Sequence, residues 1–266
     1  MKKVLFILLL FSSIKTIGCS SCGVSTFSQQ FINADIIAKV KITKILKDSP
    51  EFSGDGDFQA NAEIVTLYKG QNKANNMTVG SNTNSTSGLY LPLNSEWILF
   101  AYTTNSINHY FTHGCSGSKQ IDRIFDEKFY PNYNPIYKKS IDNLTKLLTN
   151  LKANNIEISN KANIINSCGY DNFLKNQNNM ESDKEYAFYK VILNSELKIK
   201  SIIIISGFNE KFDIEFKKEI IENTNWVSVY GSKKKIPEDT EWLIIIKKNE
   251  QLTYNNLKYT NITYDP

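Results

Sequence analysis

The sequence predicts a mainly β fold with flanking helices, of the α+β class, and three observations lead there. Short runs rich in Ile, Val, Phe and Tyr alternate apolar with polar residues at a period of two, the pattern of half-buried strands. Loops bearing Gly, Asp, Asn and Ser punctuate them. Five such runs precede the first long helical stripe, whose apolar residues recur at spacings of three and four.

The elements follow in chain order. Met1-Lys2-Lys3 is a positive end, Val4 to Phe11 is an unbroken apolar run, and Thr16-Ile17-Gly18 leads into Cys19. A charged start, a short apolar core and a small residue before a cut site make a secretory signal over residues 1–18. The run falls well short of the roughly 20 apolar residues that span a bilayer. Gly18-Cys19 also fits a bacterial lipoprotein signal, in which the cysteine is acylated, although Thr16 stands where Leu or Val is usual. Acylation of Cys19 and ordinary cleavage both stay open, and either places the mature chain outside the cytoplasm.

A short helix is expected over Thr26 to Ala34, with Phe27 and Phe31 on one face. Ile36, Ala38, Val40 and Ile42 then share one side of a strand, with Lys39 and Lys41 on the other. A loop from Asp48 to Gln59 leads to a second strand, Ala62 to Lys69, closed by Gly70. Met77 to Ser81, Trp97 to Tyr102 and His109 to His113 are the third, fourth and fifth strands, the last ending at Gly114-Cys115. Asn134 is the expected N-cap of a helix with Pro135 at its first position and the stripe Tyr137, Ile141, Leu144, Leu148 and Leu151 on its buried face. The Asn- and Lys-rich stretch from Lys152 to Lys161 marks a domain boundary, giving domains at 19–156 and 157–266.

The second domain reads as a diverged copy of the first. Ser21-Cys22-Gly23 with Phe27 corresponds to Ser167-Cys168-Gly169 with Phe173, and Pro92 with Glu96-Trp97 to Pro237 with Glu241-Trp242. Between them Lys39-Val40 corresponds to Lys190-Val191, and Glu63-Ile64 loosely to Asp213-Ile214. In the copy Thr260 falls where the cysteine of strand five would be, so Cys168 is expected as a free buried thiol.

Charge and motif content narrow the function. The formal net charge of +4 includes Lys2, Lys3 and Lys15 of the signal, so the mature chain is close to +1 and carries no basic footprint for nucleic acid. No nucleophile elbow, phosphate-cradling Gly-rich loop or His-Glu-x-x-His string occurs. No cofactor is called for. His109 and His113 lie four apart on an expected strand, hence on one face, but no carboxylate motif accompanies them as metal ligands; exposed strand histidines are the expectation. Cys19-Ser20-Ser21-Cys22 has the spacing of a redox pair or half a zinc site, yet it opens the mature chain instead of following a strand.

The order of these features resembles the netrin-like module of the tissue inhibitors of metalloproteinases. The residues that carry the likeness are a cysteine pair at the mature N-terminus, a helix, a long alternating strand, and a second strand ending Leu67-Tyr68-Lys69-Gly70. A small-residue-plus-Gly turn at Ser87-Gly88, the strand Glu96-Trp97-Ile98-Leu99-Phe100-Ala101 and a closing Cys115 complete it, over about Cys19 to Ser118. The resemblance implies an OB-type five-stranded barrel and a disulfide between Cys22 and Cys115. The family's first cysteine pairs with one that is Ser87 here, and the N-terminal cysteines lie two residues apart instead of one, so the resemblance leaves Cys19 without a partner. An orphaned cysteine behind a signal is what lipid attachment would leave.

Three functional classes follow. The first is a non-catalytic, exported binding or structural protein, anchored in the cell envelope by a lipid on Cys19. The second, implied by the resemblance, is a metalloproteinase inhibitor whose N-terminal Cys19 chelates the target's zinc, with Ser20, Ser21 and Ser87 on the contact ridge. The third is a thiol oxidoreductase using Cys19 and Cys22.

Overall fold

The computed structural model describes residues 26–48, 58–71, 74–83, 85, 87–103, 109–161, 164–167, 173–174, 176–177, 180–228, 235–248 and 253–254. The expectations for the signal, for Cys19, Ser20, Ser21, Cys22 and Cys168, and for Thr260 lie outside them. The class is α+β, mainly β, with three helices among the described residues.

Helix α1, Phe27–Asn33, is capped by Thr26, whose Oγ1 accepts the Gln29 N–H at 3.2 Å, and it buries Phe27, Phe31 and Ile32. Strands β1 (Ile36–Asp48), β2 (Phe58–Lys69), β3 (Asn76–Ser81), β4 (Glu96–Ala101), β5 (Tyr110–Phe111) and β6 (Lys119–Gln120) form one curled sheet in the order β5-β3-β2-β1-β4-β6. The β1–β2 register slips at four places, and such bulges bend and coil a strand pair. Inside the curl lie Ile36, Ala38, Val40, Ile42, Phe58, Ala60, Val79, Trp97 and Leu99. The expected alternation of β1 thus points its apolar side inward.

Strand five is shorter than expected. Only Tyr110–Phe111 is strand, paired parallel to β3, while Phe111 also exchanges both backbone hydrogen bonds with Tyr102, just past β4, at 2.8 and 3.0 Å. His109 and His113 flank this strand instead of sharing its face.

Helix α2, Tyr133–Ala153, buries Tyr137, Ile141, Leu144, Leu148 and Leu151 as the stripe predicts. Its start differs from expectation. Asn132, in the left-handed region at φ 62°, precedes the helix, and Asn134 lies inside its first turn. The Asn134 amide instead clasps the Phe125 backbone, accepting its N–H at 2.8 Å and donating to its carbonyl at 3.0 Å. A side-chain amide offers one acceptor and two donors, the same functions as a peptide group.

The second half contributes β7 (Ile164–Ser167), β8 (Tyr186–Leu193), β9 (Ile199–Ser206), helix α3 (Glu210–Asn223), β10 (Asn225–Ser228), β11 (Thr240–Lys247) and β12 (Thr253–Tyr254). Three long strands, β9-β8-β11, make its sheet, extended by the two-residue β12, while β7 and β10 pair separately. One apolar cluster joins α1, α2, α3 and this sheet, from Phe27 and Leu148 to Phe216 and Trp242. Ile156 and Ile158 are buried in it too. Lys161 donates to the Asn33 carbonyl at 3.0 Å and to Asp35 at 2.9 Å.

The two sheets share one local design. Val40 pairs with Trp97 across β1–β4, and Val191 pairs with Trp242 across β8–β11. Lys39 bridges Glu96 at 2.9 Å, and Lys190 bridges Glu241 at 3.1 Å. Before each glutamate a hydroxyl donates back to a proline carbonyl, Ser95 to Pro92 at 2.5 Å and Thr240 to Pro237 at 2.7 Å. The residue ahead of each hydroxyl is left-handed, Asn94 at φ 66° and Asp239 at φ 59°. Asn and Asp tolerate that region because their short polar side chains bond locally. The looser correspondence of Glu63-Ile64 with Asp213-Ile214 fails. Ile64 lies on β2 opposite Val40, but the residue opposite Val191 is Ile202 on β9, while Asp213 sits in the first turn of α3. There its carboxylate accepts from the Tyr189 hydroxyl at 2.5 Å and the Phe208 N–H at 3.1 Å.

Candidate functional site

Ser87, His109, His113 and Cys115, the described members of the set that the sequence singles out, lie near the end of β5. From Thr112 the chain turns through Cys115 to Ser118, and three hydroxyls hold that turn. Thr112, Ser116 and Ser118 lie 2.9–3.0 Å from one another. Thr112 also donates to the Phe100 carbonyl at 2.9 Å, and the Phe100 N–H donates to Ser118 Oγ at 2.9 Å. Because Thr112 and Ser118 are buried, each hydroxyl must find partners within the protein, and the closed ring supplies them. The turn is thereby pinned to β4.

His113 adds a local clasp, its Nδ1 accepting the Cys115 N–H at 3.0 Å. Burial, with the Tyr102 ring 5.8 Å away, holds its pKa below the usual histidine value, favouring the neutral imidazole with the proton on Nε2. His109 packs against Gly80, where an added Cβ would come within 2.5 Å of Nε2. The two histidines therefore serve different contacts. Among the described residues, no group of three or more His, Cys, Asp or Glu side chains converges as for a metal ion.

Ser87 meets this turn directly. Its carbonyl accepts the Gly114 N–H at 2.7 Å, setting the Ser87 loop beside Cys115. Gly88 is required there, since a Cβ would stand 2.5 Å from the Thr83 carbonyl oxygen and 2.6 Å from that of Asn82. On the other side Gly117, at φ 97°, lies under Gln30 of α1, whose Oε1 a Cβ would meet at 2.6 Å. Gln30 in the middle of α1, the Cys115 turn and the Ser87 loop thus lie close together. Cys115 is the only cysteine among the described residues; it is disulfide-bonded, and its partner lies outside them.

No family model matches this chain, and no curated protein matches it.

A second structural centre escaped the sequence reading. Lys69, at the end of β2, reaches the C-terminal end of α1, donating to the carbonyls of Phe31 at 2.5 Å, Ile32 at 3.2 Å and Ala34 at 2.6 Å. Its ammonium also lies 4.8 Å from the centre of the Phe31 ring. Helix C-termini leave carbonyls without partners and favour a positive charge, and Lys69 answers both needs. Gly70 follows at φ 88° because any Cβ would fall 2.3 Å from the Asp35 carbonyl oxygen. The Leu67-Tyr68-Lys69-Gly70 ending therefore has a mechanical reason. Asp35 itself faces opposing influences: burial raises its pKa, but Lys161 and the Thr103 N–H and hydroxyl outweigh this and hold it below the ordinary value. Among the described residues no helix is long and apolar enough to cross a membrane.

Proposed function

We propose that the chain is an exported, non-catalytic binding protein, tethered to a membrane by a lipid on Cys19, with a netrin-like barrel whose working end is the Cys115–Ser87 edge. The observation that carries this reading is the meeting of three segments there: the disulfide-bonded Cys115 turn, the Ser87 loop and α1 at Gln30. A bridge from Cys22 to Cys115 would hold the mature N-terminus at this edge, four residues ahead of the Thr26 cap. The barrel reading is supported by the isolated Tyr102–Phe111 bridge, which links β5 to the residue just past β4 across a curled sheet ordered β5-β3-β2-β1-β4-β6.

The same juxtaposition is what the inhibitor reading asks of Cys19, Ser20, Ser21 and Ser87, and one atom separates the two. Zinc chelation needs the lone pair of a free N-terminal amine. Full lipoprotein maturation turns that amine into an amide, whose lone pair is delocalised. Cys19→Ser is expected to move the protein from the membrane fraction to the soluble fraction, with a matching loss of acyl mass from the N-terminal peptide. A soluble wild-type protein that inhibits a metalloproteinase, and stops doing so once its N-terminus is acetylated, would make the inhibitor the better reading. The thiol oxidoreductase reading rests on Cys19 and Cys22, which lie outside the described residues.

The two halves are proposed to be copies of one unit. The paired Val–Trp registers, Lys–Glu bridges and left-handed residues support this, since they match in backbone pairing as well as in residue type. In an experimental structure, β2-β1-β4 is expected to superpose on β9-β8-β11 with Trp97 on Trp242. A superposition that displaces either tryptophan by a register step would count against the duplication.

A further inference from the structure

Among the described residues, the second sheet ends in an unpaired edge. β9 pairs with β8 on one side, and no other backbone hydrogen-bond partner is found for the backbone of Ile199–Ser206 among the described residues. Successive strand residues face opposite ways, so the exposure of Ile203 (47%) and Ile204 (39%) beside a buried Ile202 bares apolar surface on both faces. Natural sheets blunt such edges with proline, charge or short length. β9 is eight residues long, has no proline, and carries a single lysine, Lys200, already held by Glu238 at 3.0 Å and Asp239 at 2.6 Å.

We propose that β9 is a self-association edge, on which a second copy of the chain pairs β9 to β9, antiparallel, about a two-fold axis at Ile203. Unpaired N–H and C=O groups in a row call for a strand, and among strands this one suits itself. About that axis Ile203 faces its own counterpart and Ile202 faces Ile204 of the second copy, so apolar meets apolar. Lys200 faces Ser206 of the second copy. The two copies of Lys200 then stand six positions apart, about 20 Å at ~3.3 Å per residue, beyond the ~8 Å over which charges act in physiological salt. Like charges do not meet, and the two sheets become one.

Sedimentation velocity on the mature chain carrying Cys19→Ser, which removes any lipid, tests this independently of the anchoring proposal. A concentration-dependent dimer is expected. Ile203→Lys and Ile203→Glu should each weaken it at least about tenfold, because each sets like charges opposite at the axis. An equal mixture of the two variants should restore the dimer, which also shows that both are folded. For the unsubstituted strand, those backbone amides between Ser201 and Ile205 that point away from β8 should lose hydrogen-exchange protection on dilution. A monomer at every concentration, or a dimer unmoved by both substitutions and without that loss of protection, overturns the proposal.

Discussion

Replacing Cys115 with serine is expected to lower the unfolding free energy by about 2–5 kcal/mol and the melting temperature by on the order of 10 °C. If Cys22 is the partner, the bridge closes a 93-residue loop from residue 22 to residue 115. In the chain-entropy account a loop of that length contributes roughly 4–5 kcal/mol by restricting the unfolded chain. The hydroxyl ring of Thr112, Ser116 and Ser118 holds the turn without the bridge, so the native fold should survive the substitution and only its margin should shrink. Calorimetry of the wild type, with and without reductant, should show the same drop as Cys115→Ser. Non-reducing peptide mapping should recover Cys22 joined to Cys115. Recovery of Cys115 with Cys19, or as a free thiol, would remove the chemical support for the netrin-like reading.

Lys69→Met should be comparably damaging. The substitution keeps most of the apolar stem but strips the donors from the carbonyls of Phe31, Ile32 and Ala34. A buried polar group left unsatisfied costs about 1–3 kcal/mol, and relief of the buried charge offsets part of this, so a net loss of about 2–4 kcal/mol is expected. The variant also has a pH signature. Burial, reinforced by Lys161 and partly opposed by Asp35, pulls the Lys69 pKa from 10.5 to about 8. Between those values the unfolded chain holds a proton that the folded chain has released, so stability rises with pH across that window. The full rise is on the order of 3 kcal/mol. Chemical denaturation of both proteins from pH 7 to pH 10 should show the rise in the wild type and a flatter profile in Lys69→Met. Parallel profiles would mean that Lys69 keeps an ordinary pKa and its burial is not felt.

Several elements needed no tertiary information to be located. The inward side of β1, Ile36, Ala38, Val40 and Ile42, follows from a period of two, because a strand turns alternate residues to one face. The buried stripe of α2 follows in the same way from helical periodicity. The repeated Pro, Glu and Trp positions at 92, 96 and 97 and at 237, 241 and 242 pointed to strands of matching register, because a turn and the strand it feeds lie within a few residues.

What depended on distant segments did not show in the sequence. Glu63-Ile64 and Asp213-Ile214 look alike locally, yet one is strand and the other helix. The buried Asp213 finds its partner in Tyr189, 24 residues away. Asn134 was read as a cap but bonds Phe125, and Lys69 closes a helix 35 to 38 residues before it. The burial of Ile156 and Ile158, in a stretch rich in Asn and Lys, likewise depends on packing with distant residues. Periodicity reports which way a residue faces on its own element. What stands opposite that face is settled by burial and hydrogen-bond satisfaction across the whole chain, which is why the sequence alone determined the inward face of β1 and the buried stripe of α2, and only the tertiary structure decided the short β5, the helix at Asp213, the cap at Lys69 and the ring around Cys115.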